Sequence, residues 1–223
     1  MSGRKPTRER AAADTVPMNF ASILKGRVAE SVLIALLERS GYRVTRLGVE
    51  VLFDELKHLD FQEYQRLNLP VQFRSLPDLL VADAEVEHAY LVEVKLRRRF
   101  DVETARELCD TLRRQREHWP QAYAVIILTE PPYPDGRFHQ DYIRVVPLAA
   151  TEKLVDPTWD FIRGTTIPVP ENVQVSARWN GLMQIQEVFR YFQQVKDNLE
   201  RGAQGQRNAD FVTAALRELR NLG

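Results

Sequence analysis

The chain lacks the features that define secreted, membrane and cysteine-rich proteins. Its 223 residues include a single cysteine, Cys109, so the sequence predicts neither an internal disulfide nor a cysteine-based zinc site. No apolar run approaches the length of a membrane span, and the charged first residues lack the apolar segment of a secretory signal. The formal net charge at pH 7 is zero, so overall charge predicts no class of partner. We therefore expect a soluble, cytoplasmic protein that does not contact a membrane.

What the chain does contain divides into three segments. Residues 1–17 are rich in charge and predict a disordered basic tail. Residues 18–150 hold most of the apolar periodicity and predict an α/β core. Residues 151–223 open with a stretch rich in Pro and turn residues, followed by two amphipathic helical patterns that start at about 181 and 208. They predict a C-terminal helical extension.

The core segment predicts elements in the order helix, strand, strand, strand, helix, strand. The first helix is expected over about 20–40, with Gly41 as its C-terminal cap, and the second follows Asp101, a favourable N-cap residue. The sequence AEVE between the second and third strands has the length of a hairpin loop. The strands are expected at about 42–49, 76–83, 88–96 and 122–129, with YIRVVPL as a further strand and two short helices over 50–70.

Three charged residues stand in the two apolar runs that this hairpin joins. Side chains alternate between the faces of a strand, so Glu93 and Lys95 share one face. If the two strands pair around AEVE, Asp78 falls directly opposite Glu93. Like charges opposite each other destabilise a sheet, and two carboxylates held so close need a proton or a cation between them. Oxygen ligands of this kind suit Mg²⁺, which takes one or two carboxylates and keeps several waters.

The motif formed by these residues resembles the signature of the PD-(D/E)xK nuclease superfamily. Pro77-Asp78 opens one strand, and Glu93-Val94-Lys95 lies on the next. The restriction-endonuclease-like core of that superfamily runs helix, three antiparallel strands, helix, strand, which is the order predicted for residues 18–130. The resemblance implies this α/β fold with the C-terminal helical extension added. The alternative is a Pro-Asp turn followed by a half-exposed strand with a surface Glu–Lys pair.

The resemblance also implies roles for individual residues of the site. It implies that Mg²⁺ or Mn²⁺ is held by Asp78, Glu93 and the backbone carbonyl of Val94. Lys95 would position the attacking water and steady the charge that develops on the phosphate. All of these residues lie within the two strands of the predicted hairpin or at their ends.

Two further polar residues lie on apolar helix faces. Glu30 shares a face of the first helix with Leu33 and Leu37, and many nucleases of this superfamily carry a helical Glu there that contacts the metal directly or through water. A buried carboxylate needs a partner, and we expect the bound metal or Lys95 to be that partner. On the second helix, Gln115 opens the sequence QREHW, which resembles the Gln-x-x-x-Tyr motif of the RecB-like exonuclease branch with Trp replacing Tyr. A Glu that reaches solvent and a Gln bonded to nearby backbone are the alternatives.

Basic residues cluster beside the predicted site. Residues 95–117 include eight Lys or Arg and five Asp or Glu, a net charge of +3. The planar fork of donors on Arg fits phosphate, and phosphate contacts position nucleic acid on proteins. A solvated charged surface is the alternative for some of these residues. We expect nucleic acid, DNA rather than RNA because most relatives in the superfamily act on DNA, to contact Arg97, Arg98, Arg99 and Arg113.

Together these residues predict a metal-dependent nuclease that hydrolyses phosphodiester bonds, most simply a DNA endonuclease. The alternative is a non-catalytic nucleic-acid-binding or assembly subunit of a transposition, repair or defence complex that retains the nuclease fold. The C-terminal helices add a prediction about partners, because their apolar stripes must be buried somewhere. They predict a homodimer or partner contact, with packing on the chain's own core as the alternative. The stripes consist of Leu182, Ile185, Phe189 and Phe192 in the first helix and Phe211, Ala215 and Leu219 in the second.

Overall fold

One mixed sheet with helices on both faces forms the centre of the molecule, an α/β arrangement as predicted. The structure, a computed structural model, describes residues 20–48, 63, 66–130, 142–156 and 167–190. The strands in these ranges are β1 (Arg43–Arg46), β2 (Leu79–Ala82), β3 (Ala89–Arg97), β4 (Tyr123–Leu128) and β5 (Ile143–Pro147). The helices are α1 (Phe20–Arg39), α2 (Val71–Arg74), α3 (Val102–Arg116), α4 (Glu171–Gly181) and α5 (Ile185–Val188), with a 3-10 helix at Leu148–Val155.

The strands follow one another across the sheet in chain order, from β1 to β5. The first three form an antiparallel meander, and the pairs Leu80↔Leu91 and Ala82↔Ala89 set the register of the hairpin around AEVE. After α3, β4 runs parallel to β3, and β5 returns antiparallel to β4. The predicted order of helix, three antiparallel strands, helix and strand is therefore present, and YIRVVPL contributes the expected further strand.

Each face of the sheet is buried by its own set of helices. On one face α1 and α5 cover Val92 and Val94 of β3. On the other face α3, α4 and the 3-10 helix cover alternate residues of β4. β4 is buried on both faces, which explains why its sequence is a continuous apolar run. Because Glu93 and Lys95 alternate with Val92 and Val94, they face the α3 side of the sheet.

Local signals begin and end the helices where the sequence predicts. Gly41 adopts a φ of 92°, a left-handed conformation that glycine tolerates best, and the N–H of Tyr42 returns to the carbonyl of Leu37 at 3.0 Å. This pattern closes α1. At the start of α3 the Asp101 carboxylate accepts a hydrogen bond of 2.8 Å from the N–H of Thr104, as expected for an N-cap.

Two expectations for the C-terminal segment are wrong. The residues ENVQV, grouped with the Pro-rich stretch, are instead the first residues of α4, which begins directly after Pro170. Proline often stands at the start of a helix because its φ is already near the helical value, so Pro170 marks a beginning and not a loop. The helix expected from about 181 is interrupted as well. Leu182 is extended, Met183 pairs with β5, and helical structure resumes only at Ile185.

The described part of the first C-terminal stripe is covered by the chain's own sheet. Leu182, Ile185 and Phe189 are all buried. The ring of Phe189 makes edge-on contacts with Tyr42 and Tyr90, with centroids 5.5 and 5.3 Å apart. For these residues the packing alternative is correct. The rest of the stripe and the whole second stripe lie outside the described residues, so the homodimer stays a prediction.

Other expectations also fall outside the described residues. They are the tail at 1–17, most of the two short helices over 50–70 and the second C-terminal helix. The division at residue 150 stays a prediction, although described residues beyond it add Trp179 to one buried cluster and Phe189 to the other. Within the described ranges, no helix combines the length and the apolar character that crossing a membrane requires.

Candidate functional site

The apposition of Asp78 and Glu93 follows from the register of the hairpin. Leu79 pairs with Val92, so one step further Asp78, which directly precedes β2, comes opposite Glu93 as the sequence predicts. The backbone carbonyl of Asp78 accepts a hydrogen bond of 2.8 Å from the N–H of Leu47, the residue that follows β1. Its Oδ2 accepts a second bond, of 2.7 Å, from the N–H of Val94. Neighbouring strands therefore hold both the backbone and the side chain of Asp78.

Burial and a nearby like charge make Asp78 an unusual carboxyl group. Burial, and then the negative charge of Glu93, raise its pKa from the ordinary value of 3.8 to about 7. The Val94 N–H and the Lys95 ammonium act in the opposite direction and compensate only in part. The two carboxylates thus resist carrying two full negative charges at neutral pH. A proton or a cation between the two carboxylates would reduce the repulsion between them.

Glu93 is buried and accepts hydrogen bonds on both of its oxygens. Lys95 Nζ donates to Oε1, and Gln115 Nε2 donates to Oε2 at 2.6 Å. The same amide of Gln115 also donates, at 3.4 Å, to the carbonyl of Ser75 in the loop before β2. The expected contact of Gln115 with the site and the alternative backbone contact therefore both occur. Through them α3 is tied to β3 and to the loop that precedes β2.

A cleft of about 620 Å³ opens over these groups. Asp78, Glu93 and Lys95 lie in it together. On the side of α2 it is lined by Val71 and Phe73, which are both exposed apolar residues. On the side of α3 it is lined by Thr111, Arg114, Gln115, Glu117 and His118. The cleft thus joins an acidic centre to one apolar wall and one polar wall.

The polar wall contains residues that the sequence did not single out. Thr111, Arg114 and His118 line the cleft beside Gln115. They follow the spacing i, i+3, i+4, i+7, which places side chains on one face of a helix. A signal for them was therefore present: once Gln115 is assigned to the site, helical periodicity brings its three neighbours with it. The apolar wall had no such signal, because α2 is a single short turn.

Glu30 lies on α1 with its side chain only 13% exposed, and its cationic partners are not the expected ones. Its Oε2 lies 3.3 Å from Arg27 NH1 and 3.6 Å from Arg46 NH1. Lys95 is therefore not the partner that the described residues give to Glu30, because α1 and β1 each supply an arginine and Lys95 Nζ donates to Glu93 instead. The expected contact of Glu30 with a bound metal stays a prediction. Glu30 still adds, as the smallest of the named causes, to the raised pKa of Asp78. The charge of Glu30 therefore acts on the Asp78 carboxyl group, and the role of Glu30 in the site stays a prediction.

The four arginines expected to contact nucleic acid all pair with nearby acids. The pairs are Arg97 with Glu107 at 3.0 Å, Arg98 with Glu130 at 3.0 Å, Arg99 with Asp101 at 2.7 Å and Arg113 with Asp110 at 3.5 Å. Arg98 and Arg99 remain 79% and 71% exposed. Exposed pairs of this kind contribute at most about 1 kcal/mol and exchange partners readily. The pairing leaves phosphate binding open, and the role of these arginines stays a prediction.

The oxygen atoms at the bottom of the cleft are suited to a divalent cation held by two carboxylates. Within a strand the N–H and C=O of one residue face the same neighbour, so the Val94 carbonyl lies on the Asp78 side of β3. Together with Asp78 and Glu93 it offers the oxygen ligands that Mg²⁺ prefers. In the described part of the chain no group of three or more His, Cys, Asp or Glu side chains is arranged to hold a metal ion. Waters would complete the shell, as is usual for Mg²⁺.

Fold and site together define an α/β protein with a pair of facing carboxyl groups, a lysine and a glutamine in one cleft; Glu93 of the pair is buried and Asp78 is half-buried. Comparison with protein-family models, with curated proteins and with solved structures finds no match. The function has to be inferred from the geometry of the cleft and from the motif that forms it.

Proposed function

We propose that the protein is a metal-dependent nuclease that hydrolyses phosphodiester bonds, most simply a DNA endonuclease using Mg²⁺ or Mn²⁺. The observation that carries this proposal is the apposition of Asp78 and Glu93, with Lys95 bonded to Glu93 at the centre of the cleft. The order of the first elements and the placement of the motif on β2 and β3 support a restriction-endonuclease-like fold as part of the proposal.

Placing Asp78 opposite the buried Glu93 destabilises the fold, which supports a catalytic role for the pair. A surface Glu–Lys pair would be solvated, whereas Glu93 is buried and faces a second carboxyl group. The pKa of Asp78 is near 7 because burial and the charge of Glu93 make its ionised form unfavourable, and this repulsion destabilises the folded protein at neutral pH. Strongly shifted carboxyl groups in clefts are typical of functional sites. A sequence under selection for stability alone would replace one of the two acids.

Each residue of the site has a part in the proposed reaction. Asp78, Glu93 and the Val94 carbonyl would hold the metal, which supplies Lewis acidity and lowers the pKa of a bound water. The Lys95 ammonium orients the attacking water and stabilises the charge that develops on the phosphate. Gln115 fixes the direction of the Glu93 carboxylate through its N–H. Phe73 and Val71 shield one side of the cleft from water.

Cleavage assays test this proposal directly. We expect the purified protein to cut linear, circular or single-stranded DNA with Mg²⁺ or Mn²⁺ and to be inactive with a chelator. Asp78→Asn, Glu93→Gln and Lys95→Ala should each remove the activity. Cleavage that persists in chelator, or no cleavage of any DNA or RNA substrate with metal, would reject the proposal.

A second candidate is a non-catalytic nucleic-acid-binding or assembly subunit with the same fold. It is favoured by one observation, that both oxygens of Glu93 accept hydrogen bonds within the chain. Such a set can tie the hairpin to α3 without a metal. This candidate predicts nucleic-acid binding that is unchanged by chelator and by Asp78→Asn, with no cleavage under any condition.

A further inference from the structure

Two basic side chains on the polar wall of the cleft have no part in the proposed chemistry. Arg114 and His118 both line the cleft that holds the carboxylate pair. Arg114 lies in the last turn of α3, and Glu117 keeps helical backbone angles, with φ −56° and ψ −28°. The N–H of His118 then bonds to the carbonyl of Gln115 at 3.1 Å. Helical spacing therefore continues to His118 and places it on the same face as Arg114.

Arg114 differs from the neighbouring arginines in what its guanidinium contacts. Arg113 pairs with Asp110 at 3.5 Å, and Arg116 pairs with Glu152 at 2.6 Å. The guanidinium of Arg114 instead donates from Nε to the backbone carbonyl of Asp110 at 3.3 Å, and no acid of the described residues lies within ion-pair distance of it. This contact uses one of the five N–H donors of a guanidinium. The donors on its two terminal nitrogens are therefore available to a ligand in the cleft.

The imidazole of His118 provides a second donor on this wall. His118 is half-buried, and its ring has no hydrogen-bond partner among the residues that the structure describes. In either neutral tautomer, one ring nitrogen carries an N–H that can donate. Side chains four residues apart on a helix are neighbours, with about 5–6 Å between their Cβ atoms. Arg114 and His118 are therefore close enough to donate to the same anionic group.

The contact between Gln115 and Glu93 places these two side chains beside the carboxylates. The amide of Gln115 donates to Glu93 Oε2 at 2.6 Å. With a rise of about 1.5 Å per residue, Arg114 stands almost level with this contact, and His118 lies about 4.5 Å further along the helix axis. Glu117, the acid on this wall, lies beyond ion-pair distance of Arg114. A strand whose reacting phosphate lies over the carboxylates would bring its next phosphate against Arg114 and His118.

We propose that Arg114 and His118 bind the backbone phosphate next to the one that lies over the carboxylate pair. This inference rests on the proposed nuclease function, because its ligand is a strand of nucleic acid. The fork of N–H donors on Arg114 matches the oxygens of a phosphate, and the His118 ring adds one more hydrogen bond. Both residues touch the substrate, and neither is a ligand of the metal.

The first test is the salt dependence of DNA binding by Asp78→Asn protein in chelator. This background prevents cleavage and removes one negative charge from the cleft. The probes are short fluorescein-labelled DNAs, one single-stranded and one duplex, followed by anisotropy over a range of salt concentrations. Arg114→Ala should lower the slope of log affinity against log salt by about 0.7 on the single strand or 0.9 on the duplex, the loss of one phosphate contact. Arg106→Ala is the matched control, because Arg106 is exposed on α3 and does not line the cleft.

Two further substitutions separate the fork from the charge. Arg114→Lys keeps the charge but loses the fork, and Lys is not equivalent to Arg at a bidentate site, so the slope should stay unchanged while the affinity falls. Glu117→Gln removes a like charge near the phosphate and should raise the affinity, whereas Glu103→Gln, in the first turn of α3, should not. An Arg114→Ala slope equal to that of Arg106→Ala would overturn the inference.

The second test examines His118. His118→Ala should weaken DNA binding by about fivefold, the effect of one typical hydrogen bond. His118→Gln, which retains a side-chain N–H donor, should restore most of this loss. With Asp78 intact, calorimetry should give the wild-type Mn²⁺ affinity for His118→Ala. A loss of Mn²⁺ affinity equal to that of Glu93→Gln would show that His118 is a metal ligand and would overturn the inference.

These tests distinguish the inference from the proposed function. If the wild type cuts DNA and the Arg114 and His118 variants match their controls, the inference fails and the nuclease stands. If the variants change DNA binding as expected but the wild type cuts no substrate, the phosphate contact stands and the nuclease fails. A protein that binds neither DNA nor RNA would contradict both.

Discussion

Two aspartates flank β2, and the structure treats them in opposite ways. At the hairpin end, Asp83 accepts hydrogen bonds from the N–H groups of Glu87 and His88 at 2.8 and 3.1 Å, and it lies 2.9 Å from the His88 ring. At the cleft end, the hydrogen bond that Asp78 accepts on its side chain comes from Val94, and a second carboxylate stands opposite. The same residue type at the two ends of a four-residue strand thus meets two different environments.

The electrostatics follow from these partners. Burial by itself would raise the pKa of Asp83, but the hydrogen bonds from His88 and Glu87 outweigh it and hold that pKa below its usual value. Burial and the charge of Glu93 instead take the pKa of Asp78 to about 7. Asp83 therefore stabilises the hairpin in its ionised form, whereas Asp78 is left with a charge that a cation could share. The comparison separates a structural carboxylate from a candidate catalytic one.

Replacing each of the two aspartates by asparagine, one at a time, should give the largest difference in cleavage activity. Asp78→Asn should lower kcat/KM by at least about 100 to 1000-fold, the range seen when one electrostatic group of an active site is lost. Asp83→Asn should retain cleavage in its folded fraction, because it lies at the other end of β2. DNA cleavage rates with Mg²⁺, normalised to folded protein by circular dichroism, measure the contrast. Equal losses in the two variants would erase the distinction between the two ends.

Gln115 supplies the next largest effect, because it holds Glu93 in place. Gln115→Leu keeps the side-chain volume but removes the donor to Oε2. Groups that orient metal ligands typically contribute 10 to 100-fold in activity or metal affinity, and we expect a loss of about that size here. Thr111→Ala, on the same face of α3 and also in the cleft, is the control. A Gln115→Leu variant as active as Thr111→Ala would show that Lys95 orients Glu93 alone.

How far the sequence predicts this site depends on the kind of contact. The apposition of Asp78 and Glu93 was predictable, because strand period and a four-residue loop determine the register. Of the two arginine partners of Glu30, Arg27 could have been predicted, because side chains three residues apart on a helix are neighbours. Arg46 could not, since it reaches Glu30 only through the packing of β1 on α1. The break after Gly181 was not predictable either. Pairing of Met183 with β5 overrides helical periodicity there, and propensity is a weak guide against tertiary contacts.

In the metal-free protein, Asp78 and Asp83 should also differ in how they make the free energy of unfolding depend on pH. The folded-state pKa of Asp78 is raised, so its stabilising contribution is present below its unfolded pKa of 3.8 and is lost as pH rises toward and through about 7. Asp78→Asn should remove this decline and stabilise the protein by on the order of 2 kcal/mol above pH 7. Asp83 has a lowered pKa, so its contribution is present above 3.8 and is lost as pH falls through its folded pKa.

Urea unfolding between pH 4 and 8 measures both curves. Asp83→Asn should destabilise the protein at pH 8, opposite in sign to Asp78→Asn. Added Mg²⁺ should reverse the Asp78 effect by stabilising the wild type alone, since a ligand that binds only the folded state stabilises it. A wild-type stability that rises steadily from pH 4 to 8 without metal would contradict the assignment for Asp78.

The smallest expected effect lies in the hairpin loop. Val86 is exposed and adopts a φ of 59°, a left-handed conformation that disfavours a β-branched side chain. Val86→Asn should stabilise the protein by about 0.5–1 kcal/mol, since Asn tolerates this conformation and strain of this kind costs about 1–3 kcal/mol. Ala84→Asn in the same loop is the control. Destabilisation by Val86→Asn, measured from urea midpoints, would show that the side chain makes a contact worth more than the strain.

Calorimetric titration of Mn²⁺ into the metal-free protein tests most directly whether the Asp78–Glu93 pair holds a cation. We predict binding to the wild type and to Asp83→Asn, and loss of that binding in Asp78→Asn and in Glu93→Gln. Absence of Mn²⁺ binding by the wild type, or binding that is the same in all four proteins, would contradict the account.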